Sequence, residues 1–156
     1  MKIRLLSVGT RMPDWVDKGF AEYSRRLPAE FALSCEEVAL ARRGKSSDIN
    51  QARYKEGELL LNKVKPGEFL VALDVQGRQL STSELAEKLD AIRQDGRHLA
   101  LLVGGPDGLA PDCLQQADEK WSLSALTLPH PLVRIVVAEQ IYRAWTLLNG
   151  HPYHRS

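Results

Sequence analysis

The chain has 156 residues, of which 44% are hydrophobic and 26% charged, and its formal net charge is +1. That composition excludes disorder, collagen and coiled-coil arrays, and the length suits one globular domain over residues 1–156 with a sizeable core. Two cysteines, Cys35 and Cys113, provide neither a disulfide framework nor a CxxC metal knuckle. The N-terminal apolar run is too short and too charged for a signal peptide. The longest uncharged stretch, residues 121–133, carries two prolines and makes no membrane span, so a soluble, cytoplasmic protein is expected.

In chain order, Lys2 to Val8 is an apolar run of strand type. Pro13 and Asp14 open a helix whose apolar face is Trp15, Phe20, Tyr23 and Leu27. Phe31, Leu33 and Cys35 alternate as on a half-buried strand. A basic loop with Arg42, Arg43, Gly44 and Lys45 follows, and Ser47 is placed to cap a helix running to about Val64. Lys65-Pro66-Gly67 ends that helix. Residues 69–73 are continuously apolar, like a strand covered on both faces. Ser81 and Glu84 form a capping box for a helix with Leu85, Leu89 and Ile92 inside, and Gly96 stops it. Residues 99–103 are a second continuous apolar strand, broken by the glycine loop 104–108. Pro111 starts a short helix. Residues 121–128 read as a strand, and 132–148 as the last helix, stopped by Asn149-Gly150. Alternating strands and helices predict an α/β fold, a mostly parallel sheet with helices on both faces. Such sheets bind ligands beyond the carboxyl ends of their strands, here at Leu73-Asp74, Gly104-Gly105 and residues 123–128.

Several motifs compete for the chemistry. Residues 39–46 approach a phosphate-binding GxxxxGK[ST] loop, but Ala39 stands where the first glycine is needed, so the loop reads better as a solvated basic turn or a nucleic-acid phosphate contact. Residues 1–65 carry 13 Lys/Arg against 9 Asp/Glu, which weakly favours a polyanion on that half. The glycine loop is either a tight Pro-Asp-Gly turn or a place where a ligand meets the backbone. His130, His151 and His154 cluster near the C-terminus without the further ligands that a metal requires, so no metal is expected. The last helix has an apolar arc too wide for one sheet face, which points to a second partner, another subunit. Arg134 lies within that arc, either snorkelling or held for an anion.

Four segments carry a specific resemblance: 101–109 (LLVGGPDGL), 121–134 (WSLSALTLPHPLVR), 140–145 (QIYRAW) and 151–155 (HPYHR). With Val8-Gly9-Thr10, Pro13-Asp14-Trp15 and Arg43-Gly44-Lys45, they resemble the SPOUT-class methyltransferases of large-subunit ribosomal RNA over essentially the whole chain. The resemblance implies a C-terminal trefoil knot, which periodicity does not reveal, and a homodimer. It also implies S-adenosyl-L-methionine as methyl donor and, as substrate, N3 of a pseudouridine in 23S ribosomal RNA of the assembled ribosome. Carried over by motif position, Leu73, Gly104, Gly105, Leu123, Ser124, Ala125, Leu126, Thr127 and Leu128 would hold the cofactor. Arg42, Arg43, Lys45, Arg134 and Arg155 would meet RNA. His130, Tyr153 and His154 are the candidates for handling the N3 proton, with the tail of one subunit completing the pocket of the other. The competing class is a non-catalytic RNA-binding protein, which cofactor binding would separate from the enzyme.

Overall fold

The continuously apolar runs become the interior of a parallel sheet. A computed structural model describes residues 1–43 and 48–155, the last of these as backbone only. Strands β1 (Lys2–Val8), β2 (Ala32–Val38), β3 (Phe69–Gln79), β4 (Leu99–Val103) and β5 (Glu119–Ser122) lie in the order β2-β1-β4-β3-β5, every pair parallel. Helices α1 (Asp14–Ser24), α3 (Thr82–Gln94) and α5 (His130–Leu148) cover one face, and α2 (Ile49–Lys63) and α4 (Pro111–Gln116) cover the other.

Alternate side chains of each strand point to opposite faces, so the two layers split the same runs between them. Ile3, Leu5, Val71, Leu99 and Leu101 pack with Leu89 of α3 and Val137 and Ile141 of α5. Leu6, Val8, Leu70, Ala72, Ala100 and Leu102 pack with Leu60 of α2 and Cys113 of α4. A cation is buried on β1: Arg4 donates to Glu36 Oε2 at 2.6 Å and to Glu68 Oε1 at 2.7 Å.

Several elements depart from the sequence reading. Trp15 is not on the buried face of α1; it is 52% exposed, and Val16 takes the interior position. Ser47 lies outside the described residues, and α2 is capped by Asp48, whose side chain accepts from the Asn50 amide at 2.9 Å. β3 runs on to Gln79. β5 is an edge strand that ends at Ser122, and residues 123–129 form a loop, so the apolar run 123–128 is not strand. α5 begins at His130, two residues earlier than expected. The capping box at Ser81 and Glu84 is present in both directions.

The wide apolar arc of α5 is largely spent within the chain. The helix lies against α1 and α3, with Val137, Ile141 and Ala144 in the core. Tyr142 meets Tyr23 of α1, and the C-terminal segment turns back to cover it. Hydrophobic width alone therefore does not call for a second subunit. Among the described residues, no helix is long and apolar enough to cross a membrane, and no cluster of His, Cys, Asp or Glu could hold a metal.

Candidate active site

The ends of β3, β4 and β5 open onto one cleft of about 220 Å³. Its walls are built by three departures from regular structure. First, β3 leaves its ladder: Leu73 and Arg78 both register with Trp121 of β5, so residues 74–77 form an excursion, with Asp74 and Val75 facing the cleft. The chain returns at Gly77, where an added Cβ would lie 2.7 Å from the Lys120 carbonyl carbon, so only glycine fits. Second, the loop after β4 folds tightly on itself, the Gly108 amide donating to the Gly105 carbonyl at 3.0 Å. A Cβ on Gly104 would sit 2.6 Å from the Gly108 oxygen and 2.7 Å from the Leu109 nitrogen. The glycine is thus required by the loop's own backbone. Third, residues 123–128 are held open by two short bonds: the Ser122 hydroxyl donates to the Ser124 carbonyl and the Leu126 amide donates to the Ser124 hydroxyl, each at 2.9 Å.

Leu73, Gly104, Gly105, Leu123, Ser124, Leu126, Thr127 and Leu128 line the cleft; Ala125 does not. The sequence reading placed the Leu73-Asp74 strand end at the ligand, and it missed Val75, Pro106, Leu109 and Val133 as lining residues. The rule that ligands meet strand ends was the signal for Asp74, which directly follows Leu73. Leu126 is 72% exposed and Leu123 and Val75 are also exposed, so the cleft has an apolar rim.

His130 lies in the cleft as the first residue of α5. Burial lowers its proton affinity, and the charge of Arg134 lowers it further, so the imidazole is neutral at pH 7 and able to accept a proton. Arg134 does not snorkel. It is 2% exposed and donates to Glu37 Oε2 and, at 2.8 Å, to the Gly9 carbonyl, which ties α5 to the ends of β1 and β2.

The remaining basic residues divide. Arg42 is exposed. Arg43 is engaged: its Nε donates to Asp107 Oδ2 at 2.6 Å and its Nη1 to Glu56 Oε2 at 2.7 Å. Lys45 and the Arg155 side chain lie outside the described residues.

The tail does not leave the body of the protein. Pro152–Arg155 forms a 3-10 turn against α5. The Tyr153 ring centroid lies 4.7 Å from that of Tyr142, its hydroxyl donates to Glu139 Oε1 at 3.1 Å, and the Arg143 guanidinium lies 5.0 Å above it. Burial and the Glu139 charge raise the Tyr153 pKa. Glu139 is about 14 Å along the helix from His130, at 1.5 Å per residue. One chain by itself therefore does not bring Tyr153 and His154 to His130.

A parallel sheet with a cleft at its strand ends is common to many enzymes, and comparison decides among them. The family model described as "Predicted SPOUT methyltransferase" matches residues 1–154. The chain belongs to the SPOUT methyltransferase family. Two relatives named "Ribosomal RNA large subunit methyltransferase H", from Pseudomonas putida and Chromohalobacter salexigens, are 55% and 57% identical over 155 residues, 99% of this chain and all of theirs. A methylase family protein from Haemophilus influenzae matches the fold with a TM-score of 0.56 at 16% identity, over 97% of this chain and 69% of its own. A SPOUT methyltransferase needs a pocket for a methyl donor, and this cleft joins three strand ends to a titratable side chain, His130.

Proposed function

We propose that this chain is an S-adenosyl-L-methionine-dependent enzyme that methylates N3 of a pseudouridine in 23S ribosomal RNA, within the assembled ribosome. The observation that carries this reading is the cleft itself, where apolar walls and open main chain converge on His130. The likeness to relatives named for ribosomal RNA supplies the substrate class. The residues fit the cofactor. Leu123, Leu126 and Leu128 give an apolar slot for a flat heteroaromatic ring, while Thr127 and Leu128 make no main-chain hydrogen bond among the described residues and are left to read its edge. When bound, the sulfonium donor supplies an electrophilic methyl group, so no protein nucleophile is required.

The protein's own work is alignment and proton handling. The imide N3 is a poor nucleophile until its proton leaves. A ring nitrogen of His130, kept neutral by burial and Arg134, accepts that proton as the N3–methyl bond forms. The enzyme works as a cytoplasmic homodimer of single-domain subunits whose C-terminal path is knotted. The exposed apolar rim at Val75, Leu123, Leu126 and Leu132 supports association beside the cleft. The tail, already docked on its own α5, would present Tyr153 and His154 to the cleft of the second subunit without refolding. His154 Nδ1 is buried with no hydrogen-bond partner among the described residues, which supports such a role.

Transfer of labelled methyl groups to undermethylated ribosomes, compared with free ribosomal RNA, tests the reading. Methylation of a single pseudouridine in ribosomes is expected; cofactor binding without methyl transfer to either substrate would leave only a nucleotide-binding protein.

A further inference from the structure

Arg43 stands in the basic loop where sequence places an RNA contact, yet its guanidinium is occupied on two sides. Nε donates to Asp107 Oδ2 at 2.6 Å, and Nη1 donates both to Glu56 Oε2 at 2.7 Å and to the Ala41 carbonyl at 2.8 Å. Glu56 is only 2% exposed and also accepts from the Ala41 amide at 3.0 Å, so the anchor on α2 is rigid. Asp107 belongs to the loop 104–108 that forms one wall of the cleft, although its own side chain does not line it. The same two loops touch at a second point, since a Cβ on Gly105 would lie 3.2 Å from Leu40 Cδ1. Paired carboxylates push the Arg43 pKa upward, so it stays charged at every pH at which the protein is folded.

We propose that Arg43 is a positioning residue for the methyl-donor pocket: through Asp107 it holds the glycine loop in its binding shape, rather than gripping RNA phosphate. The inference rests on the reading of the cleft given above. The loop's tight turn is made from glycines, which favour no single backbone shape by themselves. A bidentate guanidinium anchored on a buried carboxylate fixes what the glycines leave loose, and lysine, a point charge without the planar fork, is a poor replacement.

Calorimetric titration of the purified, folded protein with S-adenosylmethionine separates the two roles. Asp107→Asn keeps the Arg43–Glu56 pair, so it relaxes the loop without exposing a buried charge. The expected result is about a tenfold weaker cofactor affinity in Asp107→Asn and at least as much in Arg43→Lys, with the double variant no weaker than Arg43→Lys, because the lysine has already lost the Asp107 contact. Affinity for undermethylated ribosomes, and its salt dependence, should stay within about twofold of the unaltered protein in Asp107→Asn. Wild-type cofactor affinity in a folded Asp107→Asn protein would overturn the proposal. So would an Arg43→Lys protein that binds cofactor normally but ribosomes weakly, which would return Arg43 to RNA. If the unaltered protein bound ribosomes but no S-adenosylmethionine, the reading of the cleft would fall, and this inference with it.

Discussion

At the scale of single residues, two neighbouring glycines of the cleft separate by what their missing Cβ would meet. At Gly104 the obstacle is backbone, the Gly108 oxygen at 2.6 Å and the Leu109 nitrogen at 2.7 Å. At Gly105 it is side chain, Val8 Cγ1 at 3.1 Å and Leu40 Cδ1 at 3.2 Å. Backbone in a tight loop cannot step aside cheaply, whereas methyl groups can. Gly104→Ala should therefore cost about 1–3 kcal/mol of stability and at least tenfold in donor affinity, while Gly105→Ala should cost clearly less of both. Thermal unfolding and calorimetry on the two proteins check the order. His130 yields a pH prediction. Its proton affinity lies below the ordinary histidine value, first through burial and then through Arg134. The methylation rate should stay flat as pH falls to that ordinary value and decline only beneath it. Arg134→Gln should move the acid limb upward, and His130→Ala should lower the rate about a hundredfold. Stability follows the same sign. As pH drops below the unfolded value, the unfolded chain takes up the proton first, so acid costs stability until the folded value is passed.

At the scale of elements, α3 gives a clean local test. Ser81 accepts from the Glu84 amide at 3.1 Å and Glu84 Oε1 accepts from the Ser81 amide at 3.0 Å. Ser81→Ala removes one bond of that box at an exposed helix start and should cost about 1 kcal/mol, read from the midpoint of urea unfolding. This box was legible in the sequence because capping depends on residues four apart at most. So were β4 and the first half of β3, because strands covered on both faces leave continuous apolar runs. Residues 123–128 broke the same rule. Leu123, Leu126 and Leu128 are apolar because they line a cleft, and a run of leucines carries no mark that tells a ligand wall from a strand. The place of Arg134, which sequence leaves either snorkelling or held for an anion, is decided by Glu37 and Gly9, neighbours far away in sequence, and Trp15 stands in solvent although its spacing puts it on the apolar face. The excursion of β3 had no sequence signal beyond Gly77.

At the scale of the whole molecule, the question is how His130 and a tail docked at Glu139, about 14 Å further along α5, serve one reaction. A second subunit resolves it if the tail acts in trans. Sedimentation should then give twice the mass of the chain, and a mixing experiment tests the arrangement directly. A chain lacking residues 151–156 keeps His130, and a His130→Ala chain keeps its tail; each alone should be nearly inactive. In a mixed dimer, the intact cleft of the first receives the tail of the second. Subunit exchange should therefore restore about a quarter of the unaltered activity, since half of the dimers are mixed and each has one complete site. No recovery on mixing would place the tail's action within its own chain.

The excursion between Leu73 and Arg78 has a consequence for how this cleft can be altered. Both residues stand opposite Trp121, so the sheet counts the four residues between them as nothing. Adding or removing a residue at Val75 or Gln76 would reshape the cleft wall while every later pairing kept its place, provided Gly77 remains to pass Lys120. The molecule thus carries, beside its most tightly specified strands, a stretch whose length is uncoupled from the register of the rest, so the wall of this cleft can change shape without rebuilding the scaffold.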